Sequence, residues 1–108
     1  MSDVFLGIDL GTTGVRCVAF DGDLGVLASE YVESSPTTVG GAVEQCPDAW
    51  WDAVVAVTSA VVRRLPDAGS VRALAVSSQG ITVVPVDAAG AALRPAISWL
   101  DQRGEGVL

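Results

Sequence analysis

No lysine, histidine or asparagine occurs among the 108 residues, and all six basic residues are arginines. Without lysine there is no P-loop phosphate lysine and no Schiff-base nucleophile. Without histidine there is no Ser-His-Asp or Cys-His relay and no His-ligated zinc. Positive charge is scarce altogether. Thirteen acidic residues leave a net charge of −7, which argues against nucleic acid as a partner, since that surface needs a basic face. No stretch approaches the ~20 apolar residues of a membrane span, and Met1-Ser2-Asp3 lacks the basic start of a signal peptide. No membrane partner is therefore expected. The two cysteines, Cys17 and Cys46, lie 29 apart without CxxC spacing and read as reduced thiols of a cytoplasmic protein.

Half of the chain is hydrophobic, a globular composition sized for one domain. Most of that content is small, with 15 alanines and 18 valines. A core built from them is thin, so further contacts, from a partner or a remainder of the chain, are expected.

Periodicity divides the chain as follows. Val4 to Leu10, Val15 to Phe20 and Leu24 to Val32 read as strands joined by the turns Gly11–Gly14 and Asp21–Asp23, an antiparallel meander. On the second strand Val15, Cys17 and Ala19 share one face. Residues 34–45 read as a polar, Gly-rich loop. A helix is expected from Pro47 to Leu65, with Pro at its first turn and Pro66 at its end. Its apolar stripe runs through Trp50, Val54, Val57, Val61 and Leu65, widened by Trp51, Val55 and Val62, and both tryptophans read as core anchors. Val71 to Ser77, almost wholly apolar, reads as a central strand parallel to the first. Ile81 to Val86 and Leu93 to Trp99 flank Asp87-Ala88-Ala89-Gly90 as a hairpin. The fold class expected is α/β.

The segment with chemistry in it is Gly7-Ile8-Asp9-Leu10-Gly11-Thr12-Thr13-Gly14-Val15-Arg16. A carboxylate ends a buried strand, and glycines then let a tight turn expose backbone N–H groups. Such a nest grips phosphate oxygens, with the Thr12 and Thr13 hydroxyls as added donors. Asp9 supplies the hard oxygen that Mg²⁺ prefers, and Arg16 lies within reach of the same phosphates. An ordinary Gly-rich hairpin with a capping Asp is the competing reading. Gln79 stands where α/β folds place ligand contacts, at a strand end. Trp99 suits either an apolar lid or a stacking platform. Asp101 and Arg103 suit either a surface ion pair or a pocket.

Asp9-Leu10-Gly11-Thr12-Thr13 after an apolar strand resembles the first phosphate motif of the actin, Hsp70 and sugar-kinase superfamily. Three further segments resemble the FGGY carbohydrate kinases within it: Glu44-Gln45-Cys46-Pro47-Asp48-Ala49-Trp50-Trp51, the strand Ala73–Gly80 ending in Gln79, and Leu93–Arg103 with its Pro95, Ile97, Trp99, Asp101 and Arg103. The four motifs fall in family order across the chain.

The resemblance implies an incomplete ribonuclease H-like (actin-like ATPase) N-terminal domain over residues 1–108, with the second domain absent. It implies ATP and Mg²⁺ as cosubstrates and a sugar or polyol as phosphate acceptor. Asp9 is then the Mg²⁺-linked carboxylate. Gly11, Thr12, Thr13, Gly14 and Arg16 attend the nucleotide phosphates. Gln79, Gly80, Ile81, Trp99, Asp101 and Arg103 attend the sugar. No catalytic base is expected within this segment; in the family it is an Asp from well downstream. The resemblance also implies that a C-terminal remainder is the natural partner, and a homo-oligomer stays open. Gly80-Ile81 replace the Arg-Glu typical of glycerol kinases and the Met-His frequent in bacterial xylulokinases. A ketopentose such as xylulose is favoured over glycerol. A non-catalytic ribonuclease H-like binding module is the rival expectation.

Overall fold

The computed structural model describes residues 2–106; Met1, Val107 and Leu108 of the expected 1–108 unit lie outside the described residues. In chain order the elements are β1 (Val4–Leu10), β2 (Gly14–Phe20), β3 (Val26–Glu33), β4 (Thr37–Val39), β5 (Ala42–Gln45), α1 (Pro47–Arg63), β6 (Val71–Ser78) and β7 (Ala96–Ile97). β1 and β2, and β2 and β3, pair antiparallel, while β6 pairs parallel with β1. The sheet order is β3-β2-β1-β6. The expected α/β class, the meander and the parallel strand are all present.

Period-two alternation sorts the side chains. Val4, Leu6 and Ile8 of β1, Val15, Cys17 and Ala19 of β2, and Ala28 of β3 face one side, where α1 covers them with Ala53, Val57 and Val61, and Leu65 follows just beyond. Each fully buried Val, Leu or Ile contributes about 1.5–3 kcal/mol. Burial pushes the Cys17 thiol up, which keeps it protonated and inert. Arg64 ties the end of α1 to β3, donating to the Ser29 carbonyl at 3.1 Å and to the Glu30 carboxylate at 3.2 Å.

Four expectations are corrected. Residues 34–45 are not a loop: they hold the β4–β5 hairpin, turned at Gly40 with φ +59°. The alternation was hidden because the buried face of β5 pairs Val43 with a glutamine, Gln45. Among the described residues β6, read as central, comes last in the sheet order, and Leu74 and Val76 are more than half exposed because α1 packs chiefly over β2 and β3. Trp51 is 68% exposed and anchors nothing in the core; Ala53, with the smaller side chain, takes the deep position. The 81–99 hairpin keeps its turn, where Asp87 Oδ1 accepts from the N–H groups of Ala89 and Ala91. Its arms are isolated bridges, Val83–Ile97 and Val86–Ala92, and only Ala96–Ile97 is a regular strand, paired with β5. Pro85 and Pro95 remove ladder donors from both arms.

The ends differ by little. β2 begins at Gly14, β3 runs Val26–Glu33 rather than from Leu24, and α1 stops at Arg63. Cys46 is the N-cap of α1 with extended backbone and no side-chain cap bond, an omission worth about 1 kcal/mol relative to Ser or Asp. Among the described residues no helix is long and apolar enough to cross a membrane.

Candidate functional site

β1 and β6 run parallel, so their carboxyl ends open at one edge of the sheet, the place where α/β sheets bind ligands. The Gln79 N–H donates to the Leu10 carbonyl at 2.9 Å, extending the pairing past the end of both strands. The Gly11–Gly14 turn starts from this end. It is closed by the Gly11 N–H donating to the Gly14 carbonyl at 2.9 Å. A Cβ at Gly11 would come within 3.0 Å of that carbonyl, and one at Gly14 would fall on the Tyr31 ring. A side chain at Gly11 would press on backbone, and one at Gly14 would displace the Tyr31 ring. The Tyr31 hydroxyl donates to the Thr13 carbonyl at 3.2 Å, bracing the turn from β3.

Asp9 is exposed on the face of the sheet away from α1, in register with Arg16 on β2 and Ser77 on β6. With Gly7 and Val18 these residues line a depression of about 310 Å³. Among the described residues no group of three or more His, Cys, Asp or Glu gathers, so Asp9 stands there as a single carboxylate. That suits Mg²⁺, which keeps several waters and binds through one or two carboxylates plus phosphate oxygens. Arg16 lies with its guanidinium 4.9 Å from the Tyr31 ring centroid and bonds Ser29 Oγ at 3.1 Å. Its charge is thereby held along the sheet, beside Asp9 rather than over the turn.

The structure brings together Thr12, Gln79, Gly80, Ile81 and Trp99, which line a second pocket of about 340 Å³. Trp99 Nε1 donates to Thr12 Oγ1 at 3.0 Å, and Thr12 Oγ1 donates to Gln79 Oε1 at 3.3 Å. Thr82 Oγ1 donates to the same oxygen at 3.4 Å. The phosphate turn and the expected sugar strand thus share one hydrogen-bonded chain. Ile81, at the rim, is 92% exposed with φ +55°.

Asp101 and Arg103 are held elsewhere. Asp101 accepts the Val43 N–H at 2.8 Å and pairs with Arg103, and Arg103 also reaches Glu44 at 2.8 Å. Arg94 completes the cluster on Glu44. The Arg103 guanidinium, and then the Val43 N–H, hold the Asp101 carboxyl well below the usual carboxylate range. The cluster fixes the turn that carries Trp99, since Asp101 N–H also bonds the Ser98 carbonyl at 3.0 Å.

Two residues at the site escaped the sequence reading. Tyr31 sits on β3 with no local signal. Gln45 lay inside a motif read only as a helix start; its signal was a glutamine in step with Val43 on a strand, and it is 5% exposed.

The chain as a whole is similar to known proteins. The chain is 36% identical over 108 residues to a glycerol kinase of Allorhizobium ampelinum, covering 95% of this chain and 21% of that protein. It is 30% identical over 107 residues to a gluconokinase of Bacillus subtilis, covering 98% and 21%. The xylulose kinase structure from Rhodospirillum rubrum superimposes with a TM-score of 0.87 at 27% identity, over 94% of this chain and 21% of that one. The chain thus spans about a fifth of the length of the curated relatives it matches. The model of the N-terminal domain of the FGGY carbohydrate kinases matches residues 4–108, and the chain belongs to that family.

Proposed function

We propose that this chain is the N-terminal part of an ATP-dependent kinase that transfers the γ-phosphate to a hydroxyl of a sugar or polyol. The observation that carries the reading is the bonded chain Trp99–Thr12–Gln79, which joins the Gly11–Gly14 turn to an uncharged, mainly apolar pocket. In this reading the backbone N–H groups of Gly11, Thr12, Thr13 and Gly14 hold the nucleotide phosphates, a task that needs neither lysine nor histidine. Asp9 holds Mg²⁺, which offsets phosphate charge when bound. Arg16 lends charge beside it. Gln79, Gly80, Ile81 and Trp99 orient the acceptor, and Asp101 and Arg103 act by fixing the turn under Trp99. Positioning and charge neutralisation are the main work of such a site.

A ketopentose such as xylulose is favoured over glycerol because Gly80 faces open space and Ile81 is apolar, so no charged pair greets a small triol. The free thiols Cys17 and Cys46 support a cytoplasmic setting. No residue here is assigned as the base that takes the hydroxyl proton. An ADP-release assay with pentuloses and polyols is the test. The 108-residue chain alone is expected to give no sugar-dependent turnover while titrating with MgADP in a calorimeter. Turnover by the chain alone overturns the assignment of the base to a remainder, and absence of heat with both nucleotide and sugar favours a non-catalytic module.

A further inference from the structure

The orientation of the Gln79 amide is imposed from behind by a residue that does not itself line the pocket. Gln45 is buried on β5. Its Nε2 donates to two backbone carbonyls, Thr12 at 3.0 Å and Ser34 at 3.4 Å. Carbonyl oxygens cannot donate, so a flipped Gln45 amide would set oxygen against oxygen twice. Gln45 Oε1 must then point the other way, where it accepts from Gln79 Nε2 at 2.9 Å. The second hydrogen of Gln79 Nε2 is directed at the Gly11 carbonyl, 3.5 Å away. With its nitrogen committed on that side, Gln79 turns Oε1 toward Thr12, Thr82 and the pocket.

We propose that Gln45 is a positioning residue for the acceptor site. It fixes the Gln79 amide so that an oxygen, not an N–H, faces the ligand, and in doing so it ties that oxygen to the phosphate turn. The Thr12 and Thr82 hydroxyls both donate to that oxygen, so the pocket wall accepts from a ligand when one of them rotates to give way, and no cation is among its lining residues. It suits a ligand that donates a hydroxyl hydrogen, a neutral polyol or ketose, and disfavours a carboxylate at that point. The role in substrate binding rests on the kinase reading; the control of Gln79 by Gln45 does not.

The absence of asparagine makes the test clean. Gln45, Gln79 and Gln102 are the chain's only primary amides, so three side-chain NH₂ pairs appear in a ¹⁵N–¹H spectrum of the full chain. The Gln45 and Gln79 pairs are expected to exchange with water about ten-fold more slowly than that of exposed Gln102, the factor given by one or two hydrogen bonds of ordinary net strength. In Gln45→Met, of similar size, the Gln79 pair moves to the Gln102 rate while the backbone amides of β1 and β2 keep theirs. Gln45→Glu provides a second reading. Its side chain can no longer donate to both the Thr12 and Ser34 carbonyls, but a carboxyl oxygen still accepts from Gln79 Nε2 in either protonation state. The Gln79 pair therefore stays slower than that of Gln102 in Gln45→Glu and not in Gln45→Met. A role confined to general stability does not separate the two variants in this way. A Gln79 pair as slow in Gln45→Met as in the parent chain overturns the proposal. So do three pairs exchanging alike in the parent chain, or a Gln79 pair in Gln45→Glu as fast as that of Gln102, which decides the matter if the methionine variant does not fold. Loss of MgADP or sugar binding with Gln79 still protected overturns the kinase reading alone.

Discussion

Across the four-stranded sheet, α1 buries Val4, Leu6, Ile8, Val15, Cys17, Ala19 and Ala28 in one apolar layer. Across β4-β5-β7 the buried set is Val43, Gln45 and Ala96, with Ser98 beside them. The second sheet has almost no oil in it. It is held by Gln45 reaching into the phosphate turn, by Asp101 on the Val43 N–H, and by Arg103 and Arg94 on Glu44. The first sheet supplies an edge built with non-directional forces, and the second hangs the segment that carries Trp99 from it with directional ones. Apolar burial tolerates small shifts, whereas a bond to a carbonyl sets an amide's orientation. The pocket residues lie where the two regimes meet, and Thr12 belongs to both.

If the comparison holds, damage to each region spreads differently. The largest effect is expected from Leu6→Ala, at 5% exposure under α1. Deleting such a side chain costs about 2–5 kcal/mol, a large part of a small domain's total of about 5–15. A urea melt followed by tryptophan fluorescence should show a lowered midpoint for the whole chain. A local loss confined to β4-β5-β7 would break the comparison.

Asp101→Asn should do the reverse. It weakens the clasp between Val43 and Arg103 while leaving the apolar layer intact, so hydrogen exchange quickens in β5 and at 96–103 and stays slow in β1 and β2. The pH dependence follows from the depressed carboxyl. A group whose folded pKa lies below its unfolded value stabilises fully above the unfolded value, here 3.8, and loses that contribution as pH falls toward the folded one. In the parent chain, protection of β5 should therefore persist at pH 5 and fade only in stronger acid. In Asp101→Asn that acid-dependent part should vanish.

The same contrast explains what could be read in advance. β1, β2, α1 and β6 announce themselves by their apolar residues, so their presence and approximate bounds followed from the pattern, while the register between strands did not. β4 and β5 did not, because Gln45 occupies a buried strand position with a polar side chain that only a distant carbonyl makes acceptable. β6 announced itself as central by its apolar run, yet a run says only that both faces are apolar, not that both are covered. The placing of Asp9, the Gly11–Gly14 turn and Gln79 at neighbouring strand ends was legible because glycines and a strand-ending carboxylate have local causes. Tyr31 and Gln45 were not, since each acts on a segment far from it in sequence. Asp101 and Arg103 were legible as a pair, and their attachment to Val43 and Glu44 was not.

The smallest expected effect comes from strain at the rim of the pocket. The left-handed backbone after β6 falls on Ile81, φ +55°, rather than on Gly80. A β-branched residue is poorly suited to that region, where a left-handed residue costs about 1–2 kcal/mol. Ile81 is 92% exposed, so little packing offsets the strain. Asparagine accepts the same backbone more readily, and Ile81→Asn is expected to raise stability by about 1 kcal/mol, or the melting midpoint by about 4–8 °C. The apolar layer carries no comparable strain, since none of its residues has positive φ. A midpoint that stays put or falls in Ile81→Asn would mean that the rim relaxes on its own, and that the acceptor wall is held less firmly than its hydrogen bonds suggest. A raised midpoint with weakened acceptor binding would show the strain serving the site, because an apolar side chain then stands there at the expense of stability.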